Sequence, residues 1–311
     1  MPGQSAEAEQ YQAALRTQGY IDVNHGMTDT DVNALFTSFR GFLNVAFQPD
    51  GKGRKFADAL CYKLGGREGD GDYYVAQQRQ GIVNEYSQRT APTTDDKDTA
   101  QIGPHSVERA FDVLHGQMPK VMHEFLSSCV ELHEATKRSA RPVLRALGME
   151  DSLLADNRLN DVHLVRLARY LASRSSHKAF LHFDRSDVSV AVAETSPGLV
   201  GVPAHNTHHH SIDLAGAELM AEQANQTPID HSSGVGKLFL GAAYNYLPAD
   251  APLPTRDLPL LLHGALNHEP NEERLIAVVF MNQPFGMPGI VVPPQHETSF
   301  EVMYNHIARR S

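Results

Sequence analysis

Several features that assign a protein to a class at first sight are scarce or absent here. The chain has no tryptophan and only two cysteines, Cys61 and Cys129, which are too few for a disulfide framework or a thiolate metal site. No stretch approaches the roughly 18 consecutive apolar residues of a membrane span. The opening MPGQSAEAEQ lacks the basic segment and apolar run of a signal peptide. We therefore expect a cytoplasmic protein with reduced thiols and no membrane partner.

Clusters of basic residues are missing as well. Lysine and arginine number 27 against 37 acidic residues, which gives a formal net charge of −10. A nucleic-acid-binding face concentrates lysine and arginine, so we expect no nucleic acid among the partners. The composition is ordinary for a globular protein, and neither an internal repeat nor a low-complexity linker divides the chain. We expect a single domain over residues 1–311.

The first half of the chain carries helical patterns. Residues 7–20 favour a helix, and Thr28 is a capping candidate for a second one. From Ser106 to Leu147 apolar residues recur at helical spacing, which predicts one long helix or two stacked helices. Residues 64–103 are polar and rich in turn signals. We expect residues 1–150 to form a region of helices and short strands packed on the rest of the domain.

In the second half the apolar pattern changes to a period of two, which is typical of strands. Because helices come first and strands later, without regular βαβ alternation, the order argues against a doubly wound sheet. We predict a mainly β protein with flanking helices (α+β), whose core over residues 160–295 is a double-stranded β-helix, the jelly roll of the cupins. The strand-like runs are 162–170, 188–194, 199–202, 237–240, 258–263 and 274–281.

His182 and Asp184 are two positions apart in a short strand-like run. Side chains at this spacing on a strand project from the same face, so both can reach one cation. With a more distant histidine they would form the two-histidine, one-carboxylate triad that leaves positions open on a ferrous ion. His263 and His268 compete for the third place. We favour His263 because it ends an apolar run, whereas His268 lies in a polar turn.

With these residues in place, the sequence resembles the isopenicillin N synthase-like family of iron(II)- and 2-oxoglutarate-dependent dioxygenases over nearly its whole length. The matching motifs, in chain order, are Gly19-Tyr20-Ile21-Asp22-Val23-Asn24-His25-Gly26-Met27, Arg166-Leu167-Ala168-Arg169-Tyr170, His182-Phe183-Asp184, Gly198-Leu199, the pair His263 and Arg274, and the final Phe280, Pro284, Ile290 and Pro293. A single HxD motif is weak, whereas an ordered series is specific. The resemblance also implies a short C-terminal helix within residues 298–311.

The resemblance implies a role for each of these side chains. His182, Asp184 and His263 would bind Fe(II). Arg274 would form a bidentate salt bridge with the distal carboxylate of 2-oxoglutarate, a task suited to its planar fork, and Tyr170 would add a hydroxyl. The implied reaction uses O2, releases succinate and CO2, and by default hydroxylates the substrate.

The partner implied by the resemblance is a small-molecule substrate. Its contacts would come from a histidine-rich segment at about 203–236 and from the polar segment at 64–103. The latter contains Arg79, Gln80, Asn84 and Tyr86, which precede the long helical pattern as the substrate-reaching segment does in relatives. These polar side chains suit a small polar metabolite, for example an amino-acid derivative.

The sequence departs from the family at two places. The family has serine two residues after the arginine, but Ile276 stands there and cannot donate a hydrogen bond. The interval between Asp184 and His263 is longer than usual, and we assign the excess to an insertion at about 203–236. This insertion contains the run His208-His209-His210, for which an exposed loop is the simpler interpretation than a second metal site.

Alternatives remain open on the sequence alone. The isoleucine favours an iron oxidase of the same fold that performs desaturation or ring closure without 2-oxoglutarate. The histidine-rich segment suggests a non-catalytic metal or small-molecule binding protein. Arg274 could be a solvated strand arginine, and Tyr170 a core tyrosine. A zinc hydrolase is disfavoured because no HExxH helix is present.

Overall fold

The computed structural model describes residues 6–47, 73–78, 97–104, 107, 111, 118–154, 163–172, 177–184, 186–202, 225–241, 257–266 and 272–282. Within this part of the chain lie four helices and eleven strands. The helices are α1 (Ala6–Gln18), α2 (Asp29–Ala46), α3 (Lys120–Ala146) and α4 (Glu150–Leu153). The strands are β1 (Ile21–Asn24), β2 (Tyr73–Gln78), β3 (Lys97–Ile102), β4 (Leu164–Tyr170), β5 (His177–His182), β6 (Val188–Glu194), β7 (Leu199–Gly201), β8 (Thr227–Pro228), β9 (Val235–Leu240), β10 (His263–Leu266) and β11 (Arg274–Met281).

The strands form two antiparallel sheets. The larger sheet has the order β1-β9-β6-β11-β4-β3-β2, and the smaller one has the order β5-β10-β7-β8. Strands β2, β3 and β4 follow one another, but the pairs β1-β9, β9-β6, β6-β11 and β5-β10 join strands that are far apart in sequence, as jelly-roll connections require. The predicted fold class, a mainly β jelly roll with flanking helices, is confirmed. The β1 strand pairs with β9, so the N-terminal segment extends the larger sheet.

Helix α2 begins at the predicted cap. The Thr28 hydroxyl accepts a hydrogen bond from the Asp31 amide at 3.3 Å, and the Asp31 carboxylate accepts one from the Thr28 amide at 2.8 Å. These two bonds form a capping box, which satisfies two of the free amides at the helix start. The buried face of α2 then packs on α3, where the rings of Phe39 and Phe42 stack on Phe125 with centroids 5.5 and 4.4 Å away.

The Asn-His-Gly turn after β1 is held by its own side chains. The Asn24 side-chain oxygen accepts a hydrogen bond from the Gly26 amide at 2.9 Å, and Nδ1 of His25 accepts one from the Met27 amide at 3.2 Å. Gly26 has a φ of 69°, a left-handed conformation that favours glycine. This turn joins the larger sheet to α2.

Several predicted segments can be placed only in part. The polar segment at 64–103 contains β2 and β3, and the helical pattern that ends at Leu147 contains α3. Strand β8 and the first two residues of β9 fall within the predicted insertion at 203–236, whereas its histidine run and the predicted C-terminal helix lie outside the described residues. The division into one domain stays a prediction. None of the described helices is long and apolar enough to span a membrane.

Candidate metal centre

Strand pairing brings the two candidate histidines together. His182 is the last residue of β5, His263 is the first of β10, and the two lie directly opposite each other in the antiparallel pair. Their ring centroids are 4.6 Å apart. On its other side His263 lies opposite Gly201 of β7. Asp184 follows His182 after one residue, so the smaller sheet and the segment leaving β5 carry all three side chains.

The three side chains converge on one point. The Asp184 carboxylate places Oδ1 3.6 Å from Nε2 of His182 and Oδ2 3.5 Å from Nε2 of His263. Ligands that are each about 2.1 Å from one ion lie no more than about 4.2 Å apart, and both separations meet that limit. Asp184 and His263 are buried, whereas the His182 side chain is 48% exposed. The centre is therefore open to solvent on the His182 side.

The tautomer of His263 is set by its neighbour. Nδ1 of His263 lies 3.1 Å from the Leu261 carbonyl oxygen, and because a carbonyl can only accept, this nitrogen carries the proton. The lone pair of Nε2 is then free to bind a cation, an arrangement typical of metal-ligating histidines. Burial lowers the pKa of His263, which favours the neutral form that a metal requires.

The carboxylate of Asp184 is favoured in its ionised form. Burial alone would raise its pKa, but the neighbouring imidazoles of His263 and His182 and the Ser189 hydroxyl favour the carboxylate and outweigh this effect. The pKa of Asp184 consequently lies well below its ordinary value. Two imidazoles and one carboxylate are the donor set of the facial triad that binds Fe(II) in non-haem oxygenases. The chemistry and spacing of these residues therefore fit a ferrous ion.

Arg274 begins β11 and is almost fully buried, with 1% of its surface exposed. It lies opposite Tyr170 of β4, and its guanidinium carbon is 5.7 Å from the centre of the tyrosine ring. The structure thus brings together the two residues that were predicted to bind a carboxylate. Burial excludes the alternative of a solvated strand arginine for Arg274.

The guanidinium of Arg274 already has two partners in the protein. Nη2 donates to the Glu194 carboxylate, and Nε donates to the Ser196 carbonyl oxygen at 3.2 Å. Nη1 is buried and has no hydrogen-bond partner among the described residues. Glu194 was not among the site residues predicted from the sequence. Its position at the end of a predicted strand gave no signal of a partner 80 positions away.

Gly198 lets the guanidinium approach the smaller sheet. A Cβ at Gly198 would lie 2.5 Å from Nε of Arg274 and 2.3 Å from the Leu266 carbonyl oxygen. Gly198 also accepts a hydrogen bond from the Leu266 amide at 2.8 Å. Leu266 is three residues beyond His263 on β10, and three residues of a strand span about 10 Å. The Arg274 side chain therefore lies beside the far end of β10, about 10 Å along that strand from His263.

The remaining candidates can be placed as follows. Ile276 lies in β11 opposite Glu194 and Ala168 and packs against a small cluster that includes Tyr170. The proposed substrate contacts Arg79, Gln80, Asn84 and Tyr86 lie outside the described residues, as does His268, the competitor for the third ligand.

No family model matches the sequence, and no curated protein matches it either. Solved structures do match. Over 98% of this chain and 90% of the other, it is similar at 15% identity and a TM-score of 0.59 to the dioxygenase for auxin oxidation from rice. It is similar to the Arabidopsis thaliana dioxygenase for auxin oxidation 1 in complex with 2-oxoglutarate, with a TM-score of 0.53, 13% identity and coverage of 94% and 93%.

A fungal structure is also similar to this chain. A full-length Neurospora crassa protein in complex with α-ketoglutarate and thymine matches with a TM-score of 0.56 and 12% identity, over 99% of this chain and 93% of the fungal one. At these identities the likeness concerns the fold. The chain has the jelly-roll fold of iron(II)- and 2-oxoglutarate-dependent oxygenases, which confirms the resemblance seen in the sequence at that level.

Proposed function

We propose that this protein is a non-haem iron(II)- and 2-oxoglutarate-dependent oxygenase that acts on a small molecule. The observation that supports this function best is the convergence of His182, Asp184 and His263 on one point of a jelly-roll sheet. The buried Arg274 of the larger sheet, which lies beside the far end of β10, about 10 Å along that strand from His263, adds the second element that such an enzyme requires.

The bound metal and O2 would supply the oxidising chemistry, and 2-oxoglutarate would supply two electrons and leave as succinate and CO2. The protein's own contribution is position and charge. His263 is oriented by the Leu261 carbonyl and by the Phe239 ring, whose centroid is 4.6 Å away. Asp184 provides the negative charge that partly neutralises the metal. Nη1 of Arg274, which has no hydrogen-bond partner in the described part of the chain, is available to a carboxylate oxygen of the co-substrate, beside the face of Tyr170.

The half-exposed His182 side of the centre is where a substrate would approach. We propose hydroxylation of a small polar metabolite, such as an amino-acid derivative, with Arg79, Gln80, Asn84 and Tyr86 as contacts. The polarity of these four side chains supports this substrate class. Among the matching structures, the Neurospora crassa protein is complexed with thymine, a small polar molecule.

A second candidate function has its own support. The Arg274 fork is already bonded to Glu194, and Ile276 provides no hydroxyl beside it. Both facts favour an iron oxidase that takes all its electrons from the substrate and uses no 2-oxoglutarate. Its products would arise by desaturation or ring closure.

Anaerobic titration of the ferrous protein with 2-oxoglutarate separates these candidates. Chelation of iron(II) by a 2-oxo acid produces a weak visible charge-transfer absorption, which we expect in the wild type and not in Asp184→Ala. Asp230→Asn, which removes an exposed carboxylate, should retain it. If iron-loaded wild type shows no such absorption, the oxidase without 2-oxoglutarate becomes the preferred function.

A further inference from the structure

The carboxylate of Glu194 is bonded to the same arginine that the proposed function assigns to the co-substrate carboxylate. Glu194 ends β6, Arg274 begins β11, and their side chains are 4% and 1% exposed. Glu194 accepts a hydrogen bond from Nη2 of Arg274. A buried arginine that awaits an anionic ligand normally provides an uncompensated charge, but here the charge is already balanced inside the protein.

The hydrogen bonds of Arg274 show what remains for a ligand. Nε is bonded to the Ser196 carbonyl and Nη2 to Glu194, so only Nη1 lacks a partner among the described residues. A buried donor without a partner is costly, and a ligand oxygen at Nη1 would remove that cost. An incoming carboxylate could thus share the guanidinium, but it would lie close to Glu194, and two carboxylates in one buried site repel each other.

The residue across from Glu194 does not relieve this repulsion. Ile276 pairs with Glu194 in the register of β6 and β11, and its side chain offers no hydrogen to a second carboxylate. The backbone at Gly198 lies close to the guanidinium on another side, since even a Cβ there would lie only 2.5 Å from Nε. The guanidinium consequently has little room to swing away from Glu194 towards a ligand.

We propose that Glu194 is a specificity-determining residue that competes for Arg274 and weakens the preference of this site for dicarboxylic over monocarboxylic 2-oxo acids. The inference rests on the proposed function, because it assumes that a 2-oxo acid binds at the metal. Glu194 leaves binding through the 2-oxo and C1 carboxylate groups unaffected. It reduces only the contribution of the distal carboxylate.

The test compares 2-oxoglutarate with 2-oxopentanoate, which has the same chain length and lacks the distal carboxylate. Isothermal titration of the Fe(II)-loaded protein under anaerobic conditions gives both dissociation constants. We expect wild type to prefer 2-oxoglutarate by less than about tenfold. Glu194→Gln should raise that preference by at least about tenfold through tighter binding of 2-oxoglutarate alone.

The matched control is Glu273→Gln. It removes the same charge one residue from Arg274, but Glu273 is half-buried and bonded to Arg40 instead. The ratio of the two dissociation constants should stay at the wild-type value in this control. Glu194→Asp, which keeps the charge and withdraws it by one methylene, should give an intermediate ratio and serves if the glutamine variant does not fold.

Four outcomes would overturn the inference. An unchanged ratio in the Glu194 variants would mean that no competition exists. Weaker binding of 2-oxoglutarate in Glu194→Gln would show that Glu194 only positions Arg274. A wild-type preference above about 100-fold would exclude an internal competitor without any variant. If every variant binds iron but neither 2-oxo acid, the proposed function itself fails and the inference fails with it.

Discussion

His182 and His263 face each other across two neighbouring antiparallel strands, with their rings 4.6 Å apart. Side chains directly opposite in such a pair have Cβ atoms about 4.5–5.5 Å apart, so the register of β5 and β10 fixes the distance between these two histidines. Only Asp184 depends on the path of the chain after the strand. The geometry of the candidate metal centre is therefore mainly a property of the sheet.

Removing one ligand should abolish iron binding. We expect Asp184→Ala to lower the affinity for Fe(II) by more than about 100-fold, because loss of a supporting residue around a metal already costs about 10–100-fold. Anaerobic titration with equilibrium dialysis measures this loss, and circular dichroism checks the fold. Asp230→Asn is the control, since that carboxylate is exposed and belongs to no metal group among the described residues. Undiminished iron binding by Asp184→Ala would rule out the triad.

The buried ion pair can be dissected by a double-mutant cycle. Arg274→Met leaves Glu194 buried without its cation, so we expect a loss of about 3–5 kcal/mol in the free energy of unfolding. The double variant Arg274→Met, Glu194→Leu should recover most of that loss, because no charge remains buried. Urea denaturation gives the losses in unfolding free energy for the three variants of the cycle, which are Arg274→Met, Glu194→Leu and the double variant. Arg40→Met is the control and should cost less than about 1 kcal/mol, since its pair with Glu273 is partly exposed.

An additive cycle, in which the double variant loses the sum of the two single losses, would contradict this prediction. It would mean that Arg274 and Glu194 contribute independently, and that the contact between them carries no coupling free energy.

Gly198 should tolerate no side chain. The added Cβ would meet the Leu266 carbonyl at 2.3 Å and Nε of Arg274 at 2.5 Å, and the carbonyl belongs to a strand that cannot move freely. We expect Gly198→Ala to cost about 1–3 kcal/mol by overpacking. Gly41→Ala is the matched control, because its Cβ would meet only a side-chain methyl, that of Val121, at 2.6 Å. Equal losses in thermal or urea denaturation would show that the backbone contact is unimportant.

The stability of the metal-free protein should fall as the pH is lowered from about 6.5. Burial lowers the pKa of His231 from its ordinary value of 6.5, and burial acts in the same direction on His25 and His263. Below pH 6.5 the unfolded state binds more protons than the folded state, so protonation favours unfolding. Above that pH the stability contribution is complete.

Replacing one of these histidines should make the free energy of unfolding depend less on pH. His231→Gln should reduce the slope of unfolding free energy against pH by up to about 1.4 kcal/mol per pH unit below pH 6.5. Urea denaturation at several pH values gives the slope. His123→Gln removes an exposed histidine of α3 and should leave it unchanged. An identical slope for wild type and His231→Gln would show that His231 does not contribute to the pH dependence of stability.

Local patterns in the sequence predicted the parts of the structure that depend on neighbouring residues. Thr28 caps α2 because the cap and its partner are three positions apart. His182 and Asp184 contribute to one site as predicted, but Asp184 lies beyond the end of β5, so the path of the chain after the strand, and not strand periodicity, places it there. The apolar run before His263 identified the histidine that the structure places opposite His182.

Contacts set by the register between distant strands could not be predicted in this way. Glu194 reaches Arg274 across β6 and β11, a pair whose register shifts between Ala277 and Val278. A shift of one residue reverses the face on which each side chain lies. Nothing in the local pattern of either strand specifies that irregularity, so the partner of Arg274 became visible only in the folded protein.

Strand β5 is hydrogen-bonded on one side only, to β10, in the described part of the smaller sheet. Its pairing is also irregular beyond His263. Edge segments with few hydrogen bonds open at low free energy, well below global unfolding. An ion held by His182 and His263 would join the last residue of this edge strand to the interior strand, so metal binding would suppress the local opening. Amide hydrogen exchange in β5 would then report on metal occupancy, whereas exchange in the larger sheet would follow global unfolding.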